Sequence, residues 1–266
     1  MTMSVNLLEL LAPKHRARLE AIELLEEVDS TNARLLAAPA PAPGRWRACL
    51  AKFQSAGRGR RGRRWEAPPS SGVCLSFGWR FATPPGALAA LSLAAGVATL
   101  RALKHLDVSG LSLKWPNDVL KDGRKLGGIL GELQVLADGG AYVVIGVGLN
   151  VRLPAATRAA IVAGGGLEPA DLAADGRAPD RTALEAALLD ELVAMAVEFE
   201  NEGFEPFRAE WNGADALKDR PVRVLDRAAG RDGVARGIDS DGALKFEQAG
   251  HIERLTAGDV SLRAVA

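Results

Sequence analysis

Between residues 111 and 151 the chain alternates apolar with polar or small positions, broken at Asp122-Gly123 and at Asp138-Gly139-Gly140. Asp-Gly between alternating runs marks a tight hairpin, because the favoured two-residue turn needs positive φ at both central residues. The pattern predicts strands over 111–115, over 118–136 folded back at Asp122-Gly123, and over 142–151. Strands joined by such turns run antiparallel. The expected architecture is therefore α+β, a mixed but largely antiparallel sheet with helices on one face, and not a doubly wound sheet.

Flanking segments extend this plan. Apolar positions recur at helical spacing from Ala21 to Ala38 around Asp29-Ser30-Thr31-Asn32, an N-cap cluster that predicts a helix start. Most of the 29 residues before Ser30 are expected to belong to the first helix of the main domain. Alternating prolines over 39–43 force an extended connection into a strand over 46–53, a glycine-rich basic loop over 57–65 and a strand over 74–81. Residues 81–100 carry no charge, yet Pro84, Pro85 and Gly86 leave only Ala87 to Leu100 for a helix. That is the length of a core helix, expected over 87–106, and not of a membrane span. Residues 154–180, rich in Ala, Gly and Pro, read as a variable surface insertion. Thr182-Ala-Leu-Glu185 reads as a capping box opening a helix to about Glu202, followed by a short helix over 204–211. Beyond Lys218, short strands are expected over 222–225, 233–238, 243–247, 251–255 and 260–262. They suggest a small SH3-like barrel packed on the main domain, dividing the chain into 1–217 and 218–266.

Thirty-three basic residues balance thirty-three acidic ones. No global field draws the chain to nucleic acid or an anionic membrane, so any polyanion site must be local. Cys49 and Cys74 sit among apolar neighbours, as buried free thiols would, and His15, His105 and His251 have no zinc-site spacing. The start MTMSVNLLELL lacks a basic n-region, which together with the free thiols predicts a soluble cytoplasmic protein.

Four clusters carry chemical potential. Gly57 to Trp65 packs five arginines and three glycines into nine residues. Exposed amides and guanidinium forks in such a loop suit an anion. By itself the loop fits a small polyanion, a nucleic acid stacked on Trp65, or a solvated basic turn. It has neither the P-loop nor the dinucleotide-binding spacing. Lys114-Trp-Pro-Asn-Asp118 ends a strand in a proline turn. Lys125-Leu-Gly127-Gly128 returns along the hairpin, and glycines inside a strand suggest close approach of a ligand or another backbone. Gly146-Val-Gly148-Leu-Asn150 closes an apolar strand.

Together, Ser30-Thr31-Asn32, Gln54 with GRGRRGRRW, KWPND, KLGGIL and GVGLN resemble the biotin protein ligases, from about residue 28 to the C-terminus. The resemblance implies a catalytic domain like that of class II aminoacyl-tRNA synthetases. It also implies a reaction in which biotin and ATP form biotinyl-5′-AMP with Mg2+, before transfer to a lysine of a biotin carboxyl carrier protein. On the biotin side it implies Ser30, Thr31, Asn32, Gln54, Gly57, Arg58, Gly59, Arg60, Lys125 and Gly127. On the nucleotide side it implies Arg58, Arg60, Trp65, Lys114, Asn117, Asp118, Lys125 and Asn150, with Trp65 stacked on adenine. Lys125, Arg60 and Asp118 become the catalytic candidates, and Asp118 also a magnesium or amine partner. Ser55 and Leu149 depart mildly from the family pattern. With so few residues before Ser30, no DNA-reading domain and no specific DNA binding are expected; a homodimer is allowed. A lipoate or octanoate ligase or transferase of related fold is the nearer alternative, and a nucleic-acid module the more distant one.

Overall fold

The computed structural model describes residues 2–174, 176, 178–225, 230–256 and 261–264. Helices α1 (Thr2–Leu10) and α2 (Pro13–Arg16) lead into β1 (Leu19–Val28), α3 (Thr31–Leu36), β2 (Trp46–Gln54) and β3 (Gly72–Phe81). Then follow α4 (Leu91–Lys104), β4 (Leu111–Lys114), β5 (Asp118–Lys121), β6 (Arg124–Val135), β7 (Ala141–Asn150), α5 (Ala155–Ala163), α6 (Arg181–Glu202) and α7 (Glu205–Ala214). The C-terminal strands are β8 (Pro221–Leu225), β9 (Gly230–Ile238), β10 (Leu244–Gln248), β11 (His251–Leu255) and β12 (Ser261–Ala264).

The main sheet has the order β1-β2-β3-β7-β6-β5-β4, with β1 parallel to β2 and every other pair antiparallel. The expected hairpin holds: Asp122 and Gly123 both have positive φ, at 50° and 74°. Alternation along β7 sorts the two faces. Val143, Ile145, Val147 and Leu149 enter the large core with α4 and α6, whereas Tyr142 and Val144 pack with Leu35 of α3 and Cys49 on the other face. The two long helices thus share one face as expected, while short α3 covers the opposite one. The uncharged stretch forms α4, whose residues are mostly buried against α6 and the sheet.

Several expectations need correction. Residues 19–28 are a strand, because pairing with β2 along its length overrides helix-like spacing; Glu26 bonds across to Lys52 at 2.8 Å. The helix start at Ser30 is right, its side chain accepting the Ala33 N–H at 3.4 Å. The residues before it form two helices and a strand of the main unit, with Leu7 and Leu11 in its core. The core helix begins at Leu91 after a short 3-10 turn over Pro85–Leu88. Asp180, not Thr182, caps α6 by accepting the Ala183 N–H at 2.9 Å, and Glu185 instead pairs with Arg181. Segment 154–180 is not merely a surface insertion: it contains α5, and Ala170, Asp171 and Leu172 are buried.

The C-terminal strands form an SH3-like antiparallel sheet of order β11-β10-β9-β8-β12, with β11 and β12 at opposite edges. Among the described residues its two edges do not pair, so the expected SH3-like barrel is not closed, and Val260 lies outside the described residues. It shares the main core: Val222 and Phe246 join the large cluster, Trp115 donates to the Gly242 carbonyl at 3.1 Å, and Ile238 N–H to Asn212 at 3.0 Å.

Candidate active site

The site lies on the α3 face, above the middle strands. Register brings Ser76 opposite Gly146 and Cys74 opposite Gly148 on one side of β7, with Leu130 and Gly128 opposite the same two glycines on the other. A β-carbon on Gly146 would fall 2.5 Å from Asn32 Oδ1, and one on Gly148 would fall 2.7 Å from Trp65 Cε2. These two glycines let α3 and the arginine loop close over the sheet without filling it. What remains is a cavity of about 580 Å³.

One end is neutral and polar. Gln54 Oε1 accepts both the Thr31 N–H (2.8 Å) and the Thr31 hydroxyl (3.0 Å), so the carbonyl side of that amide is spoken for and its donor is the NH2, which faces the Cys74 thiol. Ser76, fully buried, lies 2.7 Å from the Thr31 hydroxyl and 2.5 Å from Asn32 Oδ1. Asn32 Nδ2 donates to the Leu130 carbonyl (3.2 Å) and Glu132 Oε2 (2.9 Å). Burial raises the pKa of the Cys74 thiol, which also lines the cavity, so the thiol stays neutral.

The arginine loop is a small hairpin. Trp65 N–H bonds the Gly57 carbonyl at 2.9 Å and Gly59 N–H the Arg63 carbonyl at 2.7 Å, with a 3-10 turn over Arg60–Gly62 at its tip. Gly57 is required where it is because a β-carbon there would meet the Trp65 carbonyl at 2.5 Å. Arg58 reaches Glu132 at 2.6 Å and Arg60 reaches Asn117 Oδ1 at 3.4 Å. Burial and then Arg63 depress the pKa of Arg60. Both effects mark a place where an anion would be welcome.

The other end is charged. Asp118 Oδ1 lies 2.5 Å from Lys125 Nζ, and Asp118 Oδ2 lies 3.3 Å from Lys114 Nζ. Burial works against the carboxylate, but the two ammonium groups outweigh it and hold its pKa below the ordinary value. Asn117 Nδ2 donates to the Ile129 carbonyl at 2.9 Å, and Asn150 Nδ2 to the Ala170 carbonyl at 3.0 Å. The Lys125 backbone is locked by the returning chain, its N–H on the Glu168 carbonyl (2.9 Å) and its carbonyl on the Ala170 N–H (2.8 Å).

Nearly every candidate residue lines this one cavity: Ser30, Thr31, Asn32 and Gln54; Arg58, Gly59, Arg60 and Trp65; Lys114, Asn117, Asp118, Lys125 and Asn150. Gly57 and Gly127 do not. Gly57 closes the loop through its backbone, and a β-carbon on Gly127 would strike the Gly148 carbonyl at 2.3 Å. The ligand-facing glycine of that pair is Gly128. Sequence reasoning missed Ser76 and Glu132, which act from behind the lining. It also missed the wall formed by Ala160, Ile161, Gly164–Gly166 and Leu167. The run Gly164-Gly-Gly166 follows a helix and not a strand, so the argument applied to Gly127-Gly128 does not reach it.

A sequence profile of the Biotin/lipoate A/B protein ligase family matches residues 24–150, and one of the biotin protein ligase C-terminal domain matches 219–263. The chain is 36% identical over 244 residues to the bifunctional ligase/repressor BirA of Escherichia coli, covering 92% of this chain and 74% of that protein. It is 36% identical over 254 residues to the biotin–[acetyl-CoA-carboxylase] ligase of Mycobacterium tuberculosis, covering 90% and 88%. The biotin protein ligase of Aquifex aeolicus, solved in complex with biotin and ATP, superposes with a TM-score of 0.76 at 26% identity, over 92% of this chain and all of that one. A cavity with a neutral polar end, a cationic loop and a lysine–aspartate end, in a chain alike over nine-tenths of its length, places this protein in the biotin protein ligase family.

Proposed function

We propose that this chain is an ATP-dependent ligase that activates biotin as biotinyl-5′-AMP and transfers it to a lysine of a biotin carboxyl carrier protein. The observation that carries the reading is one cavity with a hydrogen-bonding end at Thr31 and Gln54 and a cationic end at Lys125 and Arg60. Biotin has that polarity: a ureido head that needs donors and acceptors, an apolar chain, and a carboxylate. Gln54, with its carbonyl turned to Thr31, offers NH2 to the ureido oxygen, and Ser30 and Asn32 complete that end.

At the other end the biotin carboxylate attacks the α-phosphorus of ATP and pyrophosphate leaves. Charge grows on the phosphoryl oxygens, and the Lys125 ammonium, aided by Arg58 and Arg60, offsets it from a fixed position. Trp65 offers its face to adenine, and Asn117, Asn150 and Lys114 hold the nucleotide. In the second step the neutral acceptor amine attacks the carbonyl of the mixed anhydride, the acyl–phosphate bond breaks so that AMP leaves, and the amine's proton passes to solvent. Asp118, its pKa depressed by two lysines, is too weak a base to take a proton from that amine at neutral pH, so its work is orientation. Both of its oxygens face ammonium groups, so these residues do not fit a resident Mg2+; the ion enters on the phosphates of ATP. The division at 217/218 and a cytoplasmic setting, with Cys49 and Cys74 both free, belong to the same reading. So does DNA binding that is only weak and salt-sensitive. A related lipoate or octanoate activity is disfavoured, since those acids have no ureido group to use Thr31 and Gln54.

The test is incorporation of labelled biotin into a carrier domain with ATP. Stoichiometric label on one carrier lysine, lost when that lysine is replaced by Arg, is expected; no label transfer would refute the proposal.

A further inference from the structure

We propose that Cys74, outside every motif of the chain, is a positioning residue for biotin recognition: its thiol fixes the plane of the Gln54 amide, so that one N–H of that amide points at the ureido group. This rests on the reading of the cavity as the biotin site and deepens it.

Cys74 reaches the site through the register of β3. It lies opposite Ala51 of β2, on the strand that ends at Gln54, and on its other side opposite Gly148 of β7. Two residues from Ser76, it points to the same face of the sheet, where it lines the cavity while only 3% exposed. Gly148 has no side chain to cover it. The thiol therefore has Gln54 on one flank and the Trp65 ring, lying over Gly148, on the other.

A glutamine amide carries one carbonyl and two N–H bonds in a single plane. Thr31 fastens the carbonyl of Gln54 twice, at 2.8 and 3.0 Å, but both bonds meet at Oε1 and leave the amide free to rock about that atom. The Cys74 thiol, which the NH2 faces, is the second anchor. With the carbonyl on Thr31 and one N–H toward sulfur, the plane is set and one N–H is left for a ligand oxygen. Burial keeps the thiol neutral, so the anchor brings no negative charge against the ureido oxygen. An alanine at 74 would leave Oε1 held and the NH2 loose, whereas a serine would put an oxygen where the sulfur was.

Cys74→Ala should raise both Kd and KM for biotin about three- to tenfold, the loss of one neutral hydrogen bond, with kcat at saturating biotin within about twofold of wild type. Cys74→Ser, which restores an acceptor, should return both constants to within about twofold, a rescue that a packing role alone would not give. Desthiobiotin keeps the ureido group and lacks the ring sulfur, so Cys74→Ala should weaken it by the same factor as biotin. Cys49→Ala, in the cluster with Leu35, Tyr142 and Val144 and outside the cavity lining, should leave biotin binding as it is. Unchanged constants in Cys74→Ala would overturn the inference, as would a Cys74→Ser as weak as Cys74→Ala. So would a loss confined to biotin and absent with desthiobiotin, which would make Cys74 a packing contact of the ring. A wild type that binds no biotin would remove the proposed function and this inference together, whereas a wild type that binds it beside an unchanged Cys74→Ala removes the inference alone.

Discussion

The indole of Trp65 lies across Gly148 so closely that a β-carbon at 148 would sit 2.7 Å from Cε2 and 2.9 Å from Cζ2. Gly148→Ala should push the ring out of place. Stacking on a base is worth about 1 to 3 kcal/mol, so ATP affinity should fall about 5- to 160-fold while biotin affinity without ATP stays nearly unchanged. Calorimetric titration of each ligand checks this, with Trp65→Ala as the companion. Equal losses for both ligands would make Trp65 an organiser of the whole loop.

Gly146 gives the mirror experiment. Its added β-carbon would fall 2.5 Å from Asn32 Oδ1, the atom that faces Ser76. Gly146→Ala should weaken biotin binding by about tenfold or more, the cost of a disrupted buried polar chain, with ATP affected less. The same two titrations read it.

Lys125→Ala should slow adenylation about 100- to 1000-fold in single-turnover pyrophosphate release, with a much smaller effect on biotin affinity. Transfer from ready-made biotinyl-5′-AMP should suffer less, because the carbonyl is then already activated. Lys125→Arg should rescue only in part, since a planar fork does not replace a compact ammonium against Asp118. A rate within about threefold of wild type would remove Lys125 from the catalytic set.

The parts of the fold legible in the sequence were those decided locally. Asp122-Gly123 has one good conformation, and Ser30 one good use, so hairpin and helix start were readable. Strand β1 was not, because its half-buried face exists only once β2 lies beside it; Ile22 and Leu24 look equally at home on a helix. The open edge between β11 and β12 likewise depends on long-range pairing that no local pattern encodes. In the site, residue types that bear charge or permit close approach stood out. Gly127 and Gly128 could not be told apart until the pleat assigned them to opposite faces. Ser76 and Glu132 were silent because a serine and a glutamate on strands carry no signal until their partners, 44 and 74 positions away, are brought to them.

Asp215 offers a pH test at the junction with the C-terminal strands. Burial pushes its pKa up to about 6, against the bond it accepts from Leu217 N–H at 2.9 Å. A carboxyl raised in the folded state contributes stability below its unfolded value of 3.8 and loses it as pH rises through about 6. Asp215→Asn should therefore stabilise the protein at pH 8 by about 1 to 3 kcal/mol and make little difference below pH 4. Urea unfolding at the two pH values reads the difference; a gain that is the same at both would contradict the burial argument.

The central claim is that the polar end of the cavity selects a ureido head. Pyrophosphate release with ATP and magnesium, compared for biotin, lipoate and octanoate at equal concentration, tests it most directly. Release driven by biotin and near background for the other two acids is the result expected from Thr31 and Gln54. Equal rates with lipoate would contradict it.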